Sequence, residues 1–85
     1  MLVKPDDLRK GDVCLVVNIR EEQILILKIL VDKPEVGIPQ NNIKILKVIK
    51  NDGIYQSFGK GSFGYLNDAD ILFKLDKNEA MLEIL

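Results

Sequence analysis

The residues of this chain that could do chemistry are few, and their types decide more than their number. The sequence has no histidine, no threonine and no tryptophan, a single cysteine (Cys14), and only Ser57 and Ser62 as serines. A serine or cysteine nucleophile needs a base within hydrogen-bond reach, and no histidine exists to supply one. A lone cysteine without histidine also excludes the ordinary zinc ligand sets, and the acids fall in no calcium-loop spacing. Asp68 and Asp70 could pair as general acid and base. Their setting in Asn67-Asp68-Ala69-Asp70 instead reads as a polar turn with solvated carboxylates. Cys14 stands in an apolar stretch, where a thiol acts as a small buried hydrophobe. These absences predict a protein that binds rather than catalyses, without metal or cofactor.

One stretch has a pattern with chemical meaning: Gly59-Lys60-Gly61-Ser62-Phe63-Gly64. Its glycines suit a flexible hairpin tip, where they relieve positive φ angles. The spacing resembles the glycine-rich loop of protein kinases. That loop works with a metal-binding Asp, a catalytic Asp and a second lobe, none of which fits in 85 residues. It is not a Walker loop, because no Gly-Lys-Ser or Gly-Lys-Thr occurs. The aromatics add weight to the stretch, since Tyr55, Phe58, Phe63 and Tyr65 flank the tip and Lys60 sits at its centre. Rings beside exposed amides and a lysine suit a protein hot spot, or a base with its phosphate. The expected site is therefore Tyr55, Phe58, Lys60, Phe63 and Tyr65, with one or two of the four rings given up to the core.

Charge separates the possible partners. Twelve basic and 13 acidic residues give a net charge of −1, a poor footprint for general nucleic-acid binding. Between Asn41 and Tyr65, however, Lys44, Lys47, Lys50 and Lys60 face only Asp52. A protein partner is the first expectation, in the manner of an accessory or inhibitor protein. A nucleic acid or nucleotide held by the lysines and the aromatic tip at 44–65 is the second. The discriminating sign is salt dependence, steep for the second and weak for the first. The N-terminus lacks the basic and apolar regions of a signal peptide, and Lys28 and Asp32 interrupt the apolar runs. The lone cysteine cannot form an internal disulfide, so nothing calls for an oxidising compartment. The expectation is a soluble cytoplasmic protein, or one acting inside a host cell, that makes no use of a membrane.

The elements that must carry this site read mostly as strands within one domain over 1–85. Pro5, Asp6 and Asp7, followed by Arg9, Lys10 and Gly11, predict one helical turn at 5–10 with a left-handed glycine after it. Residues 12–19 alternate, with Val13, Leu15, Val17 and Ile19 on one face and Cys14, Val16 and Asn18 on the other. Residues 24–31 are apolar on both faces except at Lys28. Such a strand is central, or exposed to a partner chain. Residues 32–42, with Pro34, Gly37 and Pro39, form a loop. Lysines at every third position in 43–50 allow a helix, but the β-branched content and the Asn51-Asp52-Gly53 hairpin signal favour a strand. A further strand is expected at 54–58 and another at 71–75. The tail from Asn78 to Leu85 is a last strand or a short helix capped by Asn78.

Two segments resemble Src-homology-3-like barrels. Leu8-Arg9-Lys10-Gly11-Asp12-Val13-Cys14-Leu15-Val16 is similar to their opening, where a Gly-Asp pair turns the chain into the first strand. Gly64-Tyr65-Leu66-Asn67-Asp68-Ala69-Asp70-Ile71 is similar to their close, where one tight helical turn precedes the last strand. The resemblance implies an all-β fold, a small barrel of about five strands with one short N-terminal helical turn. The chain lacks the tryptophan and clustered tyrosines of the proline-binding members, and the superfamily implies no single activity. The two apolar faces of 24–31 lead to a further expectation, a homodimer through that strand. The alternative is that the tail folds back over it with Met81, Leu82, Ile84 and Leu85.

Overall fold

Alternating apolar residues build one sheet strand by strand. The computed structural model describes residues 1–53 and 59–84. Within them lie β1 (Leu2–Val3), β2 (Val13–Asn18), β3 (Gln23–Ile29), β4 (Ile43–Asn51), β5 (Phe63–Gly64), β6 (Ile71–Leu75) and helix α1 (Lys77–Ile84). The strand order is β1-β6-β2-β3-β4-β5, with every pair of strands antiparallel. β2 through β5 thus form a meander, and β6 returns beside β2. The fold is all-β with one short helix, and the sheet is not closed. Its edge strands β1 and β5 are two residues each, too short to join in a ladder. The loop at 32–42 closes part of the gap instead, where Val36 bridges Leu66 and the Gly37 N–H donates to the Leu66 carbonyl (2.8 Å). The strand expected at 54–58 lies outside the described residues.

The helical turn expected at 5–10 is shorter, a 3-10 turn over Pro5–Asp7. Gly11, with φ +95°, then reverses the chain into β2, as the sequence requires. β2 buries Cys14, Val16 and Asn18, the second of the two alternating sets. Across the inner face these meet Leu25, Leu27 and Ile29 of β3, Ile43 and Ile45 of β4, and Leu72 of β6, with Leu8 and Leu66 from the loops. This aliphatic cluster is the core. Burial drives the Cys14 thiol up to about 11, with the nearby Asp12 charge adding to the effect. A thiol so placed is not a nucleophile.

β3 is partly covered on its second face as well. Ile26 is 0% exposed yet does not belong to the inner cluster. On that outer side α1 leaves the end of β6 and reaches β4 at Lys47, the ladder partner of Ile26, whose Nζ donates to the Glu83 carbonyl (2.7 Å). That cation caps the negative end of the helix. Ala80 is the helix residue that is buried, while Met81 and Leu82 point outward. The tail is therefore a helix folded over the sheet, but its cap is Asp76 rather than Asn78. The Glu79 N–H donates to Asp76 Oδ1 (2.7 Å) and the Asp76 N–H to Glu79 Oε1 (3.1 Å), a reciprocal capping box. On the second face Ile26 is buried while Ile24 and Leu30 are half-buried and Lys28 is exposed, so the chain itself covers part of the apolar patch behind the expected homodimer.

The lysine spacing in β4 has a geometric explanation. Opposite β3, Lys50 pairs with Ile24 but Val48 with Leu25, and Lys47 pairs with Ile26 but Ile45 with Leu27. Ile49 and Leu46 are therefore extra residues, each forming a β-bulge. Each bulge turns the two-residue strand period into three. Lys44, Lys47 and Lys50 consequently share the outer face, while Ile43, Ile45 and Val48 share the inner one. Truncating Ile26 to alanine removes a fully buried side chain and should cost about 2–5 kcal/mol. Leu82→Ala, on the outward side of the helix, should stay within about 0.5 kcal/mol of wild type. Urea unfolding of the two variants checks both values.

Candidate functional site

β5 carries the aromatic half of the expected site. Phe63 is 50% exposed and Tyr65 is 41% exposed, so neither ring is given up to the core. Lys60 is exposed in the turn that precedes them. Tyr55 and Phe58 lie outside the described residues. Of the glycines around the tip, Gly61 needs its type, with φ +89°. The tip is pinned rather than loose, because the Gly61 N–H donates to the Ile45 carbonyl (2.7 Å) and the Ile45 N–H to the Ser62 carbonyl (2.8 Å). The Ser62 hydroxyl accepts from the Gly59 N–H (3.3 Å), a turn-closing role rather than a nucleophile's.

The basic half is assembled by the bulges of β4. Lys44 Nζ lies 5.6 Å from the centre of the Phe63 ring, a cation–π contact. Across the ladder Lys44 stands directly opposite Lys28. Like charges so placed repel, and among the described residues no carboxylate pairs with Lys28, Lys44 or Lys60. Lys47 is occupied by the helix end and Lys50 by Asp52 (3.7 Å). Lys28, Lys44 and Lys60 thus lack an ion pair among the described residues, as do Lys4, Lys10, Lys33 and Lys77 elsewhere on the surface.

Over its inner face the curled sheet leaves a cleft of about 340 Å³. Its floor is the aliphatic inner face, Val16, Leu25, Leu27, Ile43 and Ile45. Tyr65 and Phe63 form one wall, and Arg20, Glu21, Gln23, Asn67 and Asp70 the polar remainder. Two turns at the same end of the sheet hold this mouth together. Asn18, buried at the end of β2, donates from Nδ2 to Asp70 Oδ1 (2.6 Å) and accepts the Glu21 N–H on Oδ1 (2.9 Å). Asp70 Oδ2 accepts the Asn67 N–H (2.8 Å), closing its own turn. Asp68 is exposed and pairs with Arg20 (3.0 Å).

Asp70 thus has the expected turn-forming role and Asp68 the expected exposure, but Asp70 is only partly solvated. Burial raises its pKa above the ordinary aspartate value, against the opposing effect of the bonds from Asn67 and Asn18. Sequence reasoning missed Asn18, Glu21 and Asp70 as cleft residues, because residues 18 and 70 meet only in three dimensions. Lys28 did carry a signal, as the one break in the apolar run 24–31. Among the described residues no group of histidine, cysteine, aspartate or glutamate side chains could hold a metal ion, and no helix is long and apolar enough to cross a membrane.

Comparisons with protein-family models, with curated proteins and with solved structures give no match for this chain.

A raised folded-state pKa fixes the sign of one pH effect. Asp70 contributes most below the ordinary aspartate pKa, and that contribution is lost as pH rises through the higher folded value. Asp70→Asn keeps one acceptor oxygen and removes the titration. Between about pH 3 and about pH 7 wild-type stability should therefore fall relative to Asp70→Asn. Asp70→Ala leaves the Asn18 amide and the Asn67 N–H without this acceptor, and at neutral pH should cost about 1–3 kcal/mol. Urea midpoints across the pH range measure both effects.

Proposed function

We propose that this chain is a non-enzymatic binding module that acts on a protein partner through the surface around β5. The observation that supports this most is where the rings stand. The core is aliphatic, and Phe63 and Tyr65, two of only five aromatics in the chain, remain half in solvent beside Lys44 and Lys60. Exposed rings with adjacent unpaired cations have the composition of a protein hot spot. The complementary partner presents apolar side chains among acidic ones. We also read the open sheet as an incomplete Src-homology-3-like barrel, since a meander followed by a last strand returning beside the first fits the resemblance at 8–16 and 64–71.

A nucleic acid is the second reading, favoured by one observation: the bulges bring Lys44, Lys47 and Lys50 to the same face as Lys28. If Lys28, Lys44 and Lys50 each neutralised one phosphate, log affinity for a single strand would fall against log salt with a slope of about −2. Fluorescence anisotropy with a labelled oligonucleotide reads that slope.

The test of the first reading is capture from a lysate of the source cells by three immobilised proteins. These are wild type, Phe63→Ala/Tyr65→Ala, and Met81→Ala/Leu82→Ala as a control that removes exposed apolar surface elsewhere. Both double variants should unfold within about 1 kcal/mol of wild type, since none of the four side chains is buried. A protein retained by wild type and by the helix control, lost from the β5 variant and insensitive to nuclease is the expected result. Equal retention by all three, or release by nuclease together with the oligonucleotide salt slope, would overturn the protein-binding reading.

A further inference from the structure

We propose that Lys28 and Lys44 form a site for a phosphate monoester, which the partner brings as a phosphorylated side chain. This deepens the protein-binding reading and rests on it. The two lysines stand directly opposite one another across the ladder between β3 and β4. Among the described ladder pairs, this is the one that sets two cations against each other. Opposed residues of an antiparallel pair have Cβ atoms about 4.5–5.5 Å apart, with both side chains on the same side of the sheet. Their ammonium groups can therefore converge on one anion.

The chain itself supplies no such anion. Neither lysine has a carboxylate in ion-pair range among the described residues. Asp12 precedes Val13, the other ladder partner of Lys28, but it accepts the Arg9 N–H (2.8 Å) and lies 3.5 Å from Lys74 Nζ. Packing does not call for the pair either. Val13 is half-buried, and an aliphatic residue at position 28 would continue its row. The ladder registers set Val13 on one side of the two lysines and Phe63 on the other. Lys44 Nζ, 5.6 Å from the centre of the Phe63 ring, is held at that ring rather than swung into solvent.

Charge then selects the ligand. A carboxylate brings one negative charge and leaves the pair with one in excess. A phosphate monoester brings about −1.5 to −2 at pH 7 and three acceptor oxygens, enough to receive a donor from each ammonium. The half-exposed Phe63 ring is placed to meet apolar side chains beside the phosphorylated one. A run of phosphates would call for a row of free cations, whereas Lys47 is tied to α1 and Lys50 to Asp52. The arrangement therefore favours a single doubly charged group over a nucleic-acid strand.

The experiment is an amide NMR titration of the full chain with phenyl phosphate and with benzoate at matched ionic strength. Phenyl phosphate should shift Lys28, Lys44 and Phe63 saturably and bind at least about threefold more tightly than benzoate. Lys28→Gln should weaken phenyl phosphate at least about fivefold. Lys10→Gln, the same charge change at another unpaired lysine, should leave binding unaltered. Without ligand, Lys28→Gln should raise the urea midpoint, because a repulsion is removed. In the capture experiment, a partner that depends on Phe63 and Tyr65 should be lost after phosphatase treatment of the lysate and on Lys28→Gln.

Absence of saturable shifts, equal binding of the two probes, or equal weakening by Lys28→Gln and Lys10→Gln would overturn the proposal. Partner capture that survives both phosphatase and Lys28→Gln would remove the phosphate site and leave the β5 surface standing. Phenyl phosphate binding at the two lysines without any partner that depends on β5 would remove the protein as its source. Tighter binding of an oligonucleotide, weakened alike by Lys28→Gln and Lys50→Gln, would give the lysines to nucleic acid instead.

Discussion

The ladder between β3 and β4, with its two bulges, is the constraint on which the rest of the molecule depends. A strand of strict two-residue period could not place Ile43, Ile45 and Val48 inward while sending Lys44, Lys47 and Lys50 outward. With strict alternation from Ile43, Lys47 would be driven into the aliphatic core and Val48 out of it. Burying an unpaired ammonium there would cost far more than one methyl-lined site returns. The bulges avoid that conflict and also add local twist and bend to β4. The inward aliphatic row and the outward basic row of β4 thus follow from one irregularity of register.

The outer face shows the same economy. Lys47, brought outward by the first bulge, reaches the last turn of α1 and accepts its negative end. That contact ties α1, which packs on β6, to the outer side of β4, where Lys47 is the ladder partner of the buried Ile26. A chain of this length has little apolar surface to spare. Exposed apolar side chains nonetheless remain around the molecule, among them Ile19 and Ile71, Ile49, Phe63 and Tyr65, and Met81 and Leu82.

Much of the fold was legible in the sequence, because local alternation dictated it. The strand expected at 71–75 has those bounds, and the strands expected at 12–19, 24–31 and 43–50 differ from β2, β3 and β4 by one or two residues at their ends. Such shifts reflect where the turn at Arg20-Glu21-Glu22 and the loop after Leu30 take over the backbone bonds. The tail cap was misplaced because Asp76 and Glu79, a capping pair three residues apart, were passed over for Asn78. The cleft was not legible at all. Its mouth depends on Asn18 meeting Asp70 across 52 residues, and neither residue type announces such a partner. The solvated setting read for Asp70 failed for the same reason, since turn chemistry is local but burial is not.

The placement of the aromatics carries the functional argument furthest. In a small domain built to minimise exposed apolar area, Phe and Tyr are the side chains that bury most per residue. This chain fills its core with leucine, isoleucine and valine and leaves Phe63 and Tyr65 half in water. It also sets Lys28 against Lys44 with no carboxylate between them, a repulsion the fold alone does not reward. Both features oppose stability in the free protein, and both would be relieved by a partner that covers the rings and brings negative charge to the lysines. Under the proposed reading, that stability would serve binding at the β5 edge, where the exposed Phe63 ring and Lys44 meet.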